Sequence, residues 1–202
     1  MAQTATLLKV LISSKQLEFQ AERSDILNIM KSLPLLAADA AEEWSPEREP
    51  IEDVSVREAR GCSIYIGLFG CIYSHPTVLE YEAAAQNPYR EMLVYVRDCP
   101  HRDESLAAFL EKMKDPQNGH TLVTYRDWQS VRSRLEKHLW DAVGRMVEHL
   151  LRLGHPPVAM GSGGAMERRW QHEKQNLIDL GLPADRESAV QFAERLKQQM
   201  PP

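Results

Sequence analysis

The chain has 202 residues, 43% hydrophobic and 26% charged, and its 24 lysines and arginines against 29 aspartates and glutamates give a formal net charge of −5. At about one domain per 150 residues, this length holds one full core and an appendage but not two large domains. The mild acidity leaves no basic footprint for general binding to nucleic acid or to an anionic membrane, and no apolar run approaches the roughly 20 residues that span a bilayer.

The segment Met1–Lys9 lacks the basic, apolar, small-residue order of a signal peptide, so the expected location is the cytoplasm. Cys62, Cys71 and Cys99 are odd in number and widely spaced, which fits neither a metal knuckle nor a disulfide framework. They are expected in a reducing compartment as small buried or half-buried fillers, with a reactive thiol as the alternative. Cys62 and Cys71 bracket a candidate strand, about 30 Å apart at about 3.3 Å per residue, too far to bridge. The seven histidines show no ligand spacing, and no metal site is expected.

In chain order, LLKVLIS (Leu7–Ser13) is almost wholly apolar and branched, as a central strand covered on both faces should be. From Lys15 to Ser32, Leu17, Ala21, Ile26, Ile29, Met30 and Leu33 recur at helical spacing, and Pro34 ends that amphipathic helix. Leu35–Ala38 is a short second strand. An acidic, proline-marked loop runs around Trp44, and Pro50 opens a helix that Gly61 closes. SIYIGLFG (Ser63–Gly70) is the strongest strand, followed by a helix from Thr77 to about Gln86. The spacing then predicts a strand over Met92–Val96, a helix over Asp103–Lys114, a strand over Thr121–Tyr125 and a long helix from Asp127 to about Arg152.

Strand and helix alternate about five times, which implies an α/β fold with a parallel sheet and helices on both faces. The sheet domain is placed at residues 1–153, a Pro/Gly linker at 154–164 and a polar helical tail at 165–202. That tail is too small for a core of its own. It is expected to pack on the sheet domain, mediate oligomerisation or connect to another partner. Ligands of such sheets bind outside the carboxyl ends of the strands near the reversal of strand order. This directs attention to Ser13–Gln16, Ala40–Pro46, Gly70–Glu80 and Arg97–His101.

In SHPTVLEYEAA, Thr77 and Glu80 have the [ST]xxE spacing of a capping box. The other reading places the same helix start at the carboxyl edge of the sheet, with Glu80 facing a cleft. A carboxylate there can contact a sugar hydroxyl or stabilise an oxocarbenium-like transition state. Ser13 and Ser14, ending the first strand, are either plain caps or contacts for phosphate or ribose. Trp44 and Tyr73 could stack on a base or pack conventionally. Glu22–Arg23 reads as a solvated or ion-paired helix edge, and GSGG at Gly161–Gly164 as linker.

KVLISSKQLEFQAER (Lys9–Arg23), IYIGLFGCIY with TVLEYEAA, and MLVYVRD resemble, in this order, family 4062 of the domains of unknown function. The resemblance covers roughly Leu7–Asp98, with a looser echo in Thr121–Val147. The sequence departs from the family pattern in having Val78 after the threonine and Ser74 after the turn tyrosine. The family belongs to the TIR-like and nucleoside-deoxyribosyltransferase-like group and commonly begins large NTPase-based immune proteins. The resemblance implies a flavodoxin-like sheet and an N-glycosidic site for NAD or a related nucleotide. It puts the catalytic carboxylate on Glu80, with Thr77 keeping the surrounding spacing, and the Ser-Ser pair on Ser13 and Ser14; together with the Gly70–Tyr73 turn and Trp44 from the residue reading, these are the expected substrate contacts.

The resulting expectation is an NAD(P)-cleaving N-glycosidase with NAD(P) as substrate and no metal or redox cofactor, since nicotinamide is already a good leaving group. Its partners would be a small anionic nucleotide and further protomers, as a homo-oligomer or larger defence assembly, because TIR-like sites often complete themselves from two protomers. The alternatives are a non-catalytic nucleotide-sensing or assembly module and, third, base exchange between nucleosides.

Overall fold

The computed structural model describes residues 8–40, 50–114, 120–154 and 163–201. Its elements are β1 (Leu8–Ser14), α1 (Gln20–Lys31), β2 (Leu36–Asp39), α2 (Ile51–Gly61), β3 (Ile64–Phe69), α3 (His75–Ala85), β4 (Glu91–Arg97), α4 (Glu104–Met113), β5 (Leu122–Tyr125), α5 (Trp128–Gly154), α6 (Gly163–Asp179) and α7 (Arg186–Gln199). The strands form one parallel sheet in the order β2-β1-β3-β4-β5, a flavodoxin-like arrangement. The chain leaves β1 for β2 on one side and then returns past β1 to β3. The order therefore reverses between β1 and β3.

Because side chains alternate across a strand, each apolar run serves two cores. Leu8, Val10 and Ile12 of β1 join Ile64, Ile66 and Leu68 of β3 in a core with α1 and α5. Leu11, Tyr65 and Phe69 face the opposite way, into a core with Ala59 of α2, Tyr81 and Ala84 of α3, and Leu106 and Leu110 of α4. All six residues of β3 are buried, as expected for the centre of the sheet. A Cβ at Gly67 would stand 2.7 Å from the Tyr65 ring and 2.9 Å from the Phe69 ring, so glycine is what lets these two aromatic side chains share one face of one strand.

Arg90 secures the far edge of this second layer. Its guanidinium donates to the carbonyls of Cys62, Ala83, Ala84 and Arg60, which lie at or just beyond the carboxyl ends of α2 and α3. Helix ends leave such carbonyls without intrahelical partners, and one buried cation satisfies several of them.

The single helix expected from Lys15 is divided. A 3-10 turn at Gln16–Glu18 precedes α1, and Leu17, counted above on the apolar face, is 83% exposed. Two contacts account for the break. Glu18 Oε1 accepts the Cys71 N–H at 2.7 Å, and the Phe19 ring is buried beneath the Arg97 guanidinium, 4.4 Å from its centroid. Both draw the chain toward the end of β3 and away from a regular helical path.

The tail packs inward. Leu177, Leu180, Leu182, Ala189, Phe192, Ala193 and Leu196 are buried in the same core as α5. Ser63 Oγ donates to the Leu180 carbonyl at 3.2 Å and Asn87 Nδ2 to the Asn176 carbonyl at 3.0 Å, tying the end of α6 to the sheet domain. Of the expected linker, residues 155–162 lie outside the described residues, and Gly163 and Gly164 are the first residues of α6 rather than linker. No described helix is long and apolar enough to cross a membrane.

The three cysteines are not all free fillers. Cys62 is a buried free thiol, and burial pushes it up to about 11. Cys71 and Cys99, in contrast, form a disulfide with Cα atoms 5.8 Å apart. Neighbouring parallel strands β3 and β4 end at the same edge, and the residues that follow them meet there. Spacing along the chain conceals a proximity that strand order creates. The bond closes a loop with a sequence separation of 28. In the chain-entropy view, such a closure stabilises by about 3–4 kcal/mol. Reduction, or Cys71→Ser combined with Cys99→Ser, is expected to lower the unfolding free energy by about that amount in a denaturant titration. An unchanged midpoint and slope would contradict it.

Candidate functional site

The Ser-Ser pair ends β1 at the reversal of strand order, and alternation turns its two hydroxyls to opposite faces of the sheet. Ser13 faces α3. Ser13 is 1% exposed, and its Oγ donates to Glu80 Oε2. Ser14 faces α1, where its Oγ accepts from Arg23 Nη1 at 3.0 Å, and the same nitrogen donates to the Ile12 carbonyl at 2.9 Å. Ser13 is in register with Gly67 of β3. The absence of a side chain there accommodates the Tyr65 hydroxyl, 3.2 Å from where a Cβ would be.

The capping-box reading of Thr77 and Glu80 does not hold. Helix α3 begins at His75, with Ser74 as its N-cap and Pro76 in the first turn. Glu80 therefore lies in the second turn, beyond reach of the orphan N–H groups a capping box serves. Thr77 Oγ1 donates to Ser74 Oγ at 2.9 Å. The Glu80 carboxylate instead meets Ser13, and Ser55 of α2 also stands within hydrogen-bonding reach of it. Ser55 is 3% exposed and donates to the Glu52 carbonyl at 3.1 Å.

These elements enclose an open cleft of about 250 Å³, lined among others by Ser14, Lys15, Arg23, Ser55, Thr77 and Glu80. Burial raises the pKa of Glu80 above its ordinary value, and the hydroxyls of Ser13 and Ser55 and the charge of Arg23 only partly oppose this. The fully buried Tyr65 hydroxyl is raised as well, first by burial and then by the charge of Glu80, while Ser13 acts against it. A carboxylate near the sheet edge thus has Ser13 as a hydroxyl donor, the Ser55 hydroxyl close by and two cations in its cleft wall. It can face a sugar, stabilise a positive charge that develops there, or exchange a proton.

Of the residues expected around a substrate, Ser14, Thr77 and Glu80 line this cleft. Ser13 stands behind it as the residue that orients Glu80. Gly70 and Tyr73 are not among its lining residues. The face of Gly70 is covered by the Glu18 carboxylate, which a Cβ would overlap, and its carbonyl accepts from Arg102 Nε at 3.0 Å. The Tyr73 N–H donates to Asp103 Oδ2 at 3.1 Å, and its ring packs against the α3 and α4 core. Trp44 lies outside the described residues.

Arg23 and Ser55 are cleft residues that the sequence did not single out, and Lys15 lay within the Ser13–Gln16 segment without a role assigned. The Glu22–Arg23 pair is not a solvated edge, since Glu22 is 8% and Arg23 2% exposed. Glu22 is ion-paired with Arg97, and Arg23 turns back toward the end of β1. A buried-facing arginine in the first turn of the helix that follows a Ser-Ser strand end was the available signal. Ser55 had none: a serine one turn into a surface helix is unremarkable in sequence. Among the described residues no group of three His, Cys, Asp or Glu side chains could hold a metal ion.

Comparison with known proteins adds a family. No curated protein matches the chain. A solved structure, that of the CMP N-glycosidase BcmB of Clostridium botulinum, is similar with a TM-score of 0.48 and 14% identity, covering 64% of this chain and 98% of that one. Residues 9–140 match the domain of unknown function DUF4062, a span that contains every described residue of the cleft discussed above. With more than half of its length matched in this way, the chain belongs to the DUF4062 family.

Proposed function

We propose that the protein is an N-glycosidase that cleaves NAD(P), or a closely related nucleotide, to nicotinamide and an ADP-ribose product. The observation that carries this reading is the Glu80 carboxylate, held by Ser13 from the end of β1 and reached by Ser55 from α2. It stands in a cleft at the carboxyl edge of the sheet, beside the reversal of strand order. That is where sheets of this class receive nucleotides.

In this reading Lys15, Arg23 and Ser14 face the anionic part of the nucleotide, as cations and a hydroxyl commonly do. Glu80 contacts the ribose. As the bond between the anomeric carbon and the nicotinamide nitrogen breaks, its electron pair leaves with nicotinamide, and the carboxylate stabilises the positive charge left on the sugar. Nicotinamide departs neutral from a cationic ring, so no acid is needed to protonate it. Water completes the reaction at the anomeric carbon. The family resemblance supports the same carboxylate.

Incubation with NAD and with deoxynucleosides, followed by chromatography of the products, tests this. Nicotinamide and ADP-ribose are expected, and Glu80→Gln is expected to slow their release by about 100-fold or more without unfolding the protein. Retained turnover in that variant would sink the assignment. Tight nucleotide binding without turnover, even at high protein concentration, would favour the sensing module instead, and a second nucleobase in the product would favour base exchange.

The raised pKa of Glu80 gives two further expectations. If the ionised form acts, kcat/KM falls as pH drops through a midpoint above the ordinary carboxylate value of 4.5. A midpoint at or below that value would contradict the role of burial. The stability sign follows from linkage: a carboxyl whose folded pKa is raised binds more protons in the native state, so its contribution to stability declines as pH rises above the unfolded value. Glu80→Gln lacks this loss. Its melting temperature relative to the unaltered protein is therefore expected to rise between pH 4 and 7. A difference that stays constant or falls across that range would be the contrary result.

A further inference from the structure

A second carboxylate lies next to the cleft with one oxygen uncommitted. Glu18, at the end of the 3-10 turn, has a side chain only 10% exposed. Its Oε1 accepts the Cys71 N–H at 2.7 Å and faces Arg97 Nη1 at 3.7 Å. Arg97 Nη2 also donates to the Glu18 carbonyl at 3.3 Å. These contacts fix the carboxylate flat against Gly70, where any side chain would collide with it. Glu18 Oε2 is buried and has no hydrogen-bond partner among the described residues.

A recess of about 10 Å³ adjoins this carboxylate. Its lining includes Glu18, Lys15, Ser74 and Thr77, and the last three also line the cleft that holds Glu80. That volume is about what one water occupies, and a buried water needs two to four polar partners. Glu18 Oε2 supplies an acceptor, Lys15 a cationic donor, and Ser74 and Thr77 hydroxyls. Thr77 already donates to Ser74, which leaves the Ser74 proton free to point elsewhere. Thr77 and Glu80 lie three residues apart, on one side of α3. The recess is thus a neighbour of the sugar-binding region across a single threonine.

We propose that Glu18 holds the water that attacks the sugar and takes its proton. This rests on the glycosidase reading above and extends it to the nucleophile, which enters as nicotinamide leaves. The bond from the anomeric carbon to nitrogen breaks, with its electron pair leaving on nicotinamide. The water oxygen bonds to the anomeric carbon. One water proton passes to Glu18 Oε2 and then to solvent, so each turnover converts NAD and water into ADP-ribose, nicotinamide and one proton. Glu80 and Glu18 then divide the work: one stabilises the cationic sugar, the other prepares the nucleophile. The unpaired oxygen stops being a cost to folding and becomes the acceptor the reaction needs.

The test compares the unaltered protein, Glu18→Gln and Glu80→Gln on NAD, with and without sodium azide, by chromatography of both products. Azide is a nucleophile that needs no base. Glu18→Gln is expected to slow nicotinamide release by about 100-fold or more. Azide is expected to restore release in that variant, with the glycosyl azide as product, and to restore nothing in Glu80→Gln. A structural role for Glu18 would not produce that rescue. Wild-type turnover in Glu18→Gln, or slow turnover that azide leaves unchanged in a folded protein, overturns the inference while leaving the glycosidase reading intact. Absence of NAD cleavage by the unaltered protein overturns the reading itself. Should Glu18→Gln fail to fold, a high-resolution crystal structure of the unaltered protein decides: an ordered water bonded to Glu18 Oε2 supports the proposal, and a dry recess refutes it.

Discussion

The hydrogen bond from Ser13 to Glu80 is the contact on which the site depends, because it joins the end of β1 to the second turn of α3. A half-buried carboxylate resists ionisation unless donors and cations compensate for lost water. Ser13 donates to it, the Ser55 hydroxyl lies close by and Arg23 provides charge. Each comes from a different element, β1, α2 and α1, so the arrangement exists only when the sheet and both helical layers are assembled. The apolar cores beneath it make that assembly rigid. Ile12 and Leu11, the residues just before Ser13, anchor β1 into opposite cores.

A second set of contacts holds the rim. Cys71, Gly70 and Arg102 connect the loop after β3 to the loop after β4, through the Cys71–Cys99 bond and the donation from Arg102 to Gly70. Glu18 carries the same connection back to the turn after β1 by accepting the Cys71 N–H. Arg97 closes the circuit through Glu18 and Glu22. Three loops at the carboxyl edge are therefore coupled by one disulfide, two carboxylates and two arginines. The placement of Lys15 and Ser74, which face both the cleft and its adjoining recess, follows from this coupling.

The sheet was legible because its signal is local. LLKVLIS and SIYIGLFG are continuous apolar runs, and buried parallel strands demand such runs. Alternation with helical periodicity then left little freedom of topology. Glu80 was legible as a candidate, but its competing role as a capping partner could be dismissed only once α3 was seen to begin at His75. The disulfide, the break before α1 and the inward turn of Arg23 were hidden for a common reason. Each is decided by what neighbouring strand ends bring together, and spacing within one segment carries no record of that. Ser13 illustrates the same limit at finer scale: the sequence marks it as a polar strand end, while the packing of α3 decides that its hydroxyl faces a carboxylate and leaves the cleft wall to Ser14.

The most direct test of the site is a crystal structure with an NAD analogue whose ribose-to-nicotinamide bond resists cleavage. The carbon equivalent to the anomeric centre is expected within about 3–3.5 Å of the Glu80 carboxylate, with the phosphates toward Lys15 and Arg23. An analogue bound away from the carboxyl end of β1, with Glu80 touching no part of the ligand, would contradict it.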